Sequence, residues 1–368
     1  MGKTWKKLIS LVLALLLAFG TTGAASAMDE GISGELVIYS SMYPFVLEML
    51  DEAMKAEFPN LKPGNGESFF VYGGSTSLIN TIYDDMKSGV LSCDMMLVAE
   101  PSLGLELKEA GYLEPVEIGN AKSSLRFTYD EEGYWYPVRV CNMVLCYNPE
   151  LEETWAEKGV TIPKSFRDFA FDPSLKGLIA MSDPLFSGTT YAAVASLMQS
   201  DHYGRQYLQK VAENGIQIIS GGSALTGLQN GDIAAAMILE ESVLKKLKDA
   251  EDAGEPITNL KCIYPEDGVI LIPSPVMTVA GPHSLHGNIE ACKLVERWLL
   301  SEAAQEIILK GFMHSVFNTD KIPYGSVETE WLIGKDMQVN WENAYRGREL
   351  INNAWTDIVL NNVQNSKE

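Results

Sequence analysis

The chain has 368 residues, 46% of them apolar, and a formal charge of −21 at neutral pH. That is enough apolar material for roughly two packed domains or lobes. So acidic a surface repels nucleic acid and anionic lipid, and excludes both as partners.

The N-terminus sets the expected compartment. Lys3, Lys6 and Lys7 form a basic patch, residues 8–19 form a short apolar run, and Ala25-Ser26-Ala27 supplies a small-residue cleavage pattern. This reads as a secretory signal peptide over residues 1–27. The run falls short of the roughly 20 apolar residues a spanning helix needs. No cysteine follows it to signal a lipoprotein anchor. Cleavage after Ala27 would leave a mature chain from Met28 with a charge of −24.

From there strand and helix patterns alternate, which predicts an α/β architecture. Residues 36–39 read as a strand, Ser40-Ser41-Met42-Tyr43-Pro44 as a helix start, and 45–58 as an amphipathic helix. Residues 69–72 form a second strand, Gly73-Gly74-Ser75-Thr76-Ser77 a small polar turn, and 78–87 a helix. A third strand is expected over 95–99 and a third helix over 102–110. The aromatic, β-prone stretch 134–147 reads as a strand crossing between lobes. Strand 178–181, the loop 182–190 and helix 191–198 follow. Then come strand 216–220, helix 225–230 and strand 234–239. Residues 269–279 read as the return crossing, with Pro273 and Pro275 marking an irregular or edge strand. Helices are expected over 289–301 and 302–310, then a helical tail beyond Val327 anchored by Trp331, Trp341 and Trp355. The expected lobes are 28–138 plus 276–310, and 139–275, with 311–368 packing on both.

Each strand–turn–helix unit places a helix N-terminus at the carboxyl edge of a parallel sheet, where open α/β sheets bind ligands. Three such turns carry hydroxyls: Ser40-Ser41, Gly74-Ser75-Thr76 and Ser187-Gly188-Thr189-Thr190. Helix N-termini offer free N–H groups and partial positive charge to an anion. Ordinary N-capping explains any one of the three equally well; three split between two lobes point to a cleft. Arg139, inside an apolar crossing strand, is suited to forked binding of phosphate or carboxylate, or to an interlobe ion pair. Glu240 and Glu241 follow a strand at the same edge, as ligand contacts or as a solvated helix start. Tyr43, Tyr72 and Tyr191 are further ligand candidates or packing residues.

The five cysteines, Cys93, Cys141, Cys146, Cys262 and Cys292, cannot all pair within the chain. Cys141 and Cys146 share one strand, about 17 Å end to end and on opposite faces, beyond disulfide reach. They read as small buried hydrophobes. His283 and His286 lie in a Gly- and Pro-rich loop with no flanking ligand cluster, so no metal site is assigned. No G-x-S-x-G, P-loop or H-E-x-x-H motif points to catalysis.

The run 34–41, the Gly73-Gly74-Ser75 turn and the block Ser182-Asp183-Pro184-Leu185-Phe186-Ser187-Gly188-Thr189-Thr190-Tyr191 resemble the periplasmic binding proteins of the ferric-iron, phosphonate and sugar-phosphate group. The order of motifs is similar from about Gly34 to Phe317. The resemblance implies a two-lobed type II binding-protein fold, hinged on two crossing strands, and a partner membrane permease with its ATPase. The chain departs from the ferric members where they carry an adjacent tyrosine pair, for this segment reads Met237-Ile238-Leu239-Glu240-Glu241-Ser242. The expected function is that of a monomeric, non-enzymatic periplasmic receptor of an ABC importer, without cofactor. Its cleft would take a small anionic solute bearing phosphate or phosphonate on Ser40, Ser41, Gly74, Ser75, Thr76, Arg139, Ser187, Gly188, Thr189, Thr190 and Glu240. Two alternatives are a ferric-iron receptor using carboxylates and a bound anion, and a ligand-sensing partner of a membrane histidine kinase.

Overall fold

Two long strands carry the whole architecture. The computed structural model describes residues 31–362; the signal-peptide segment lies outside them. Its strands are β1 (Gly34–Leu36), β2 (Ile38–Ser40), β3 (Leu61–Pro63), β4 (Phe70–Tyr72), β5 (Met95–Leu97), β6 (Leu113–Glu114), β7 (Tyr136–Tyr147), β8 (Ile179–Met181), β9 (Gln217–Ile218), β10 (Ala235–Leu239), β11 (Lys261–Ile263) and β12 (Ile270–Val279). One ten-stranded sheet runs β4-β2-β5-β12-β7-β10-β8-β9, with β6 added on β12 and β11 on β7; β1 and β3 pair separately. The expected single strand over 36–39 is therefore broken at Val37, with β1 and β2 joining different sheets.

β7 and β12 run antiparallel at the centre, from Ile270 opposite Met143 to Val276 opposite Tyr136. Every residue of both is buried, and this is why both read as near-continuous apolar runs. The end of β12 pairs with β5 and begins one wing, with β2, β5 and β4 parallel to one another. The end of β7 pairs with β10 and begins the other, with β10, β8 and β9 parallel. β12 is thus not an edge strand. Its prolines are accommodated where the register with β7 shifts, between Ser274 and Pro275.

One core cluster fills both wings and the crossing between them, and two smaller ones lie under β5 and under β10. Cys141 belongs to the main core and Cys146 to the cluster under β10, on opposite faces of β7. All five cysteines are thiols, and Cys262 stands directly across from Cys146 in the β11–β7 ladder. The tail forms short helices over Thr329–Ile333, Trp341–Arg346 and Arg348–Trp355. Trp341 and Trp355 are buried anchors, but Trp331 is 42% exposed, against Tyr264 at the surface. The tail ties the wings together. Arg348 bonds Glu100 beyond β5 at 2.9 Å and lies 4.6 Å over the Tyr191 ring of the helix Gly188–Gln199.

Glu296 is a fully buried carboxyl on the helix Ile289–Leu299 in the first wing. Thr278 donates to its Oε2 at 2.6 Å, while Oε1 has no partner. Burial pushes its carboxyl up to about 8, with Thr278 and Arg297 pulling the other way. The unfolded chain loses this proton near pH 4.5, so the group's contribution to stability falls as pH rises from there to about 8 and then levels off. Glu296→Gln should therefore gain on the parent by roughly 1.4 kcal/mol per pH unit across that window. Urea unfolding of both proteins at pH 5, 6.5 and 8 checks this; parallel curves would exclude it.

Candidate ligand-binding site

The carboxyl ends of the parallel strands from both wings meet at one cavity of about 200 Å³. Ser41 follows β2, Gly74 and Ser75 follow β4, and Ala99 follows β5. Phe186, Ser187 and Thr189 come from the turn after β8, and Leu239 and Glu241 from the end of β10. Tyr43 and Arg139 complete the wall. Thus six expected ligand residues, Ser41, Gly74, Ser75, Arg139, Ser187 and Thr189, stand together.

Local sequence explains their placement. Ser75 is the first residue of the helix Ser75–Met86, behind a Gly74 N-cap whose side chain is absent, leaving that end open. Ser187 caps the helix Gly188–Gln199, accepting from the Thr190 N–H at 3.2 Å, and also meets Thr189 Oγ1 at 3.2 Å. Capping and cavity lining are therefore not alternatives for Ser187. Pro44 opens the helix Pro44–Glu57, which brings Tyr43 to the wall. The Tyr43 hydroxyl shares a 2.5 Å hydrogen bond with Ser242, and burial raises its pKa.

Across the cavity the wings touch. Thr76 Oγ1 donates to the Leu185 carbonyl at 2.6 Å. Gly188 packs so closely that a Cβ there would sit 2.7 Å from Ala99 Cβ and 3.0 Å from Ser75 Oγ. Gly188 and Thr76 hence act at the seam rather than on the wall. Ser40 and Thr190 lie behind the wall: Ser40 Oγ accepts from the Met42 N–H, and Thr190 Oγ1 donates to Ser187 Oγ. Tyr72 is exposed, and Tyr191 is buried with its hydroxyl on the Ala344 carbonyl.

The polar balance of the site is uneven. Ser41 Oγ is buried and has no partner. Arg139 is buried, its Nη1 lies 3.0 Å from Met313 Sδ, and among the described residues it forms no ion pair. Neither Glu240 nor Glu241 is a solvated helix start; both are buried. Glu240 turns away from the cavity into a satisfied network. Its Oε2 accepts from Asn142 at 3.0 Å and meets His314 Nε2 at 3.3 Å, while Oε1 accepts from Tyr264 and Ser326, each at 2.5 Å. Burial opposes its ionisation, but these bonds and the neighbouring imidazole hold its carboxyl below the usual range. Glu241 faces the cavity instead, with both carboxylate oxygens unpartnered. Burial pushes its carboxyl up to about 7, and Arg139 pulls it down. No sequence signal separates the two: neighbours on a helix point about 100° apart, and only docking of the helix decides which one meets the cavity.

His283 and His286 tie their loop to the segment before β5, His283 Nδ1 at 2.6 Å from the Gly89 carbonyl and His286 Nδ1 at 2.8 Å from Asp94 Oδ2. No group of three His, Cys, Asp or Glu among the described residues could hold a metal ion. No helix among them is long and apolar enough to cross a membrane.

Comparison with known proteins places this geometry. A protein of Haemophilus influenzae, itself uncharacterised, is 24% identical over 312 residues, 82% of each chain. The periplasmic binding protein AfuA of Actinobacillus pleuropneumoniae, solved with fructose-6-phosphate bound, superposes with a TM-score of 0.70 at 20% identity, over 89% of this chain and 98% of that one. Iron-bound HitA of Pseudomonas aeruginosa gives 0.70 at 17% identity, over 88% and 99%. These likenesses show the two-lobed type II binding-protein fold, its lobes being the two wings. The family model for bacterial extracellular solute-binding proteins matches residues 90–324, and the chain belongs to the bacterial extracellular solute-binding protein family.

Proposed function

We propose that this receptor serves an ABC importer and encloses a small solute bearing phosphate or phosphonate between its lobes, residues 28–138 with 276–310 on one side and 139–275 on the other. One observation carries the reading: an unpaired, buried Arg139 shares a 200 Å³ cavity with Ser41, Ser75, Ser187 and Thr189, at the N-termini of two helices from opposite lobes. A guanidinium, hydroxyls and free N–H groups are the donors an oxyanion needs. Contacts that exist only when both lobes meet the ligand give closure its differential affinity. The acidic exterior does not oppose this, because surface charge is screened over about 8 Å at physiological salt.

A thermal-shift panel of inorganic phosphate, alkyl phosphates and hexose phosphates finds the tightest probe, and calorimetry then measures variants with it. Ser41→Ala and Thr189→Ala should each weaken binding by about 10-fold, the effect of one hydrogen bond to a charged group. Ser223→Ala should leave affinity unchanged, because Ser223 sits at the start of another helix, bonded to Ser220. Equal binding by all three variants would move the anion seat elsewhere. The same protein titrated with ferric citrate should develop no strong visible charge-transfer band. Among the described residues Tyr43 is the one tyrosine on the cavity wall, and burial disfavours its phenolate. A tight coloured one-to-one complex would replace the phosphate reading with iron.

A further inference from the structure

The cavity holds two opposite charges that feel each other across the wall but make no ion-pair contact. Among the described residues Arg139 lines it without an ion pair, and Glu241 lines it with neither oxygen hydrogen-bonded. Its sequence neighbour Glu240 shows what a resident carboxylate here looks like: four polar groups converge on it. Glu241 starts the same helix, is as deeply buried, and has only the weakly polar Cys141 thiol nearby, with no geometrically formed hydrogen bond to either oxygen. An unpartnered carboxylate is costly in a low-dielectric site. A solute carrying only negative charge would add a second anion beside it in about 200 Å³. A solute carrying an ammonium as well would satisfy both ends of the wall at once.

We infer that the solute is a compact zwitterion, its oxyanion against Arg139 and the serine and threonine hydroxyls, its primary ammonium against Glu241. This rests on the anion-seat reading above and adds to it the group that selects among anions. The seat for the ammonium is built from the second lobe, since Glu241 follows β10, whereas Ser41 and Ser75 belong to the first. The oxyanion seat already draws on both lobes, and only the zwitterion satisfies Glu241 as well. The small volume restricts the spacer between the charges to a few atoms.

Three probes test this at pH 8 by calorimetry: 2-aminoethyl phosphate; propyl phosphate, which replaces the ammonium by methyl; and β-alanine, which keeps the ammonium and replaces phosphate by carboxylate. The parent protein should bind 2-aminoethyl phosphate roughly 30-fold or more tighter than propyl phosphate. Glu241→Gln, a neutral near-isostere, should cut that preference below about threefold while leaving propyl phosphate binding no weaker. A melting temperature at or above the parent's establishes that the variant folds, and the parent's own preference stands as evidence even without it. Propyl phosphate binding as tightly as the amine, with Glu241→Gln silent, overturns the ammonium seat and leaves the anion seat standing. Tight β-alanine binding with neither phosphate bound keeps the zwitterion and overturns the phosphate reading. Binding of none of the three at millimolar concentration overturns both.

Discussion

Gly188→Val is expected to weaken binding of the phosphate probe by more than roughly 100-fold while the protein stays folded. The Gly188 backbone is helical, so a side chain there meets no conformational strain. What it meets is the opposite lobe, with Ala99 Cβ at 2.7 Å and Ser75 Oγ at 3.0 Å from an added Cβ. Both atoms sit at the ends of rigid elements, so relief comes from parting the lobes. Small-angle scattering should then show no contraction on adding a probe that contracts the parent. The double variant Ala99→Gly with Gly188→Ala moves the methyl from one lobe to the other, and should recover most of the affinity lost by Gly188→Ala alone. Failure of that rescue would assign the loss to something other than the seam.

The second large effect is expected at Arg139. Truncating one partner of a buried, hydrogen-bonded charge pair costs about 2–5 kcal/mol, so Arg139→Met should weaken the phosphate probe by roughly 100-fold or more. The free protein should be no less stable for it. Arg139 has a thioether as its hydrogen-bond partner and no carboxylate in ion-pair contact, and replacing an unpaired buried cation by an apolar chain relieves a desolvation cost. Glu241 would lose the positive charge that holds its carboxyl down, and remain neutral to higher pH. Calorimetry and a thermal melt on the same sample separate the two effects. A loss of affinity matched by a large drop in melting temperature would mean that Arg139 holds the fold rather than the ligand. Affinity falling while stability holds or rises is the signature of a group kept for function.

The parts of this fold legible in the sequence are those where one strand or one turn decides the matter. β7 and β12 read as crossings because burial on both faces leaves no polar alternation. The Ser187 turn reads as a helix start because its cap is local. Other features depend on distant partners. β11 is three residues long and is a strand only because β7 lies beside it. Pro273 and Pro275 mark an irregular or an edge strand, and the register shift that makes β12 irregular in mid-sheet is set by its pairing with β7, far away in sequence. Trp331 and Trp341 lie ten residues apart in similar surroundings, yet one is exposed and one buried. Arg348 reads as one charge in a polar tail; its place between Glu100 and Tyr191 exists only once the tail has crossed both lobes. The helix over Gly204–Glu213 is legible from Tyr207, Leu208 and Val211 on one face.

The shared sheet has a consequence for how the molecule comes apart. β5 of the first lobe hydrogen-bonds to β12, β10 of the second to β7, and β7 and β12 to each other. Cutting the chain to express one lobe alone would strip a ladder from a strand that is buried along its whole length. Such a fragment presents a long apolar edge of free N–H and C=O groups, a template for pairing with its own copies. Separate lobes should therefore form aggregates. The intact chain should melt in one cooperative step, because neither lobe can lose its sheet while the other keeps its own.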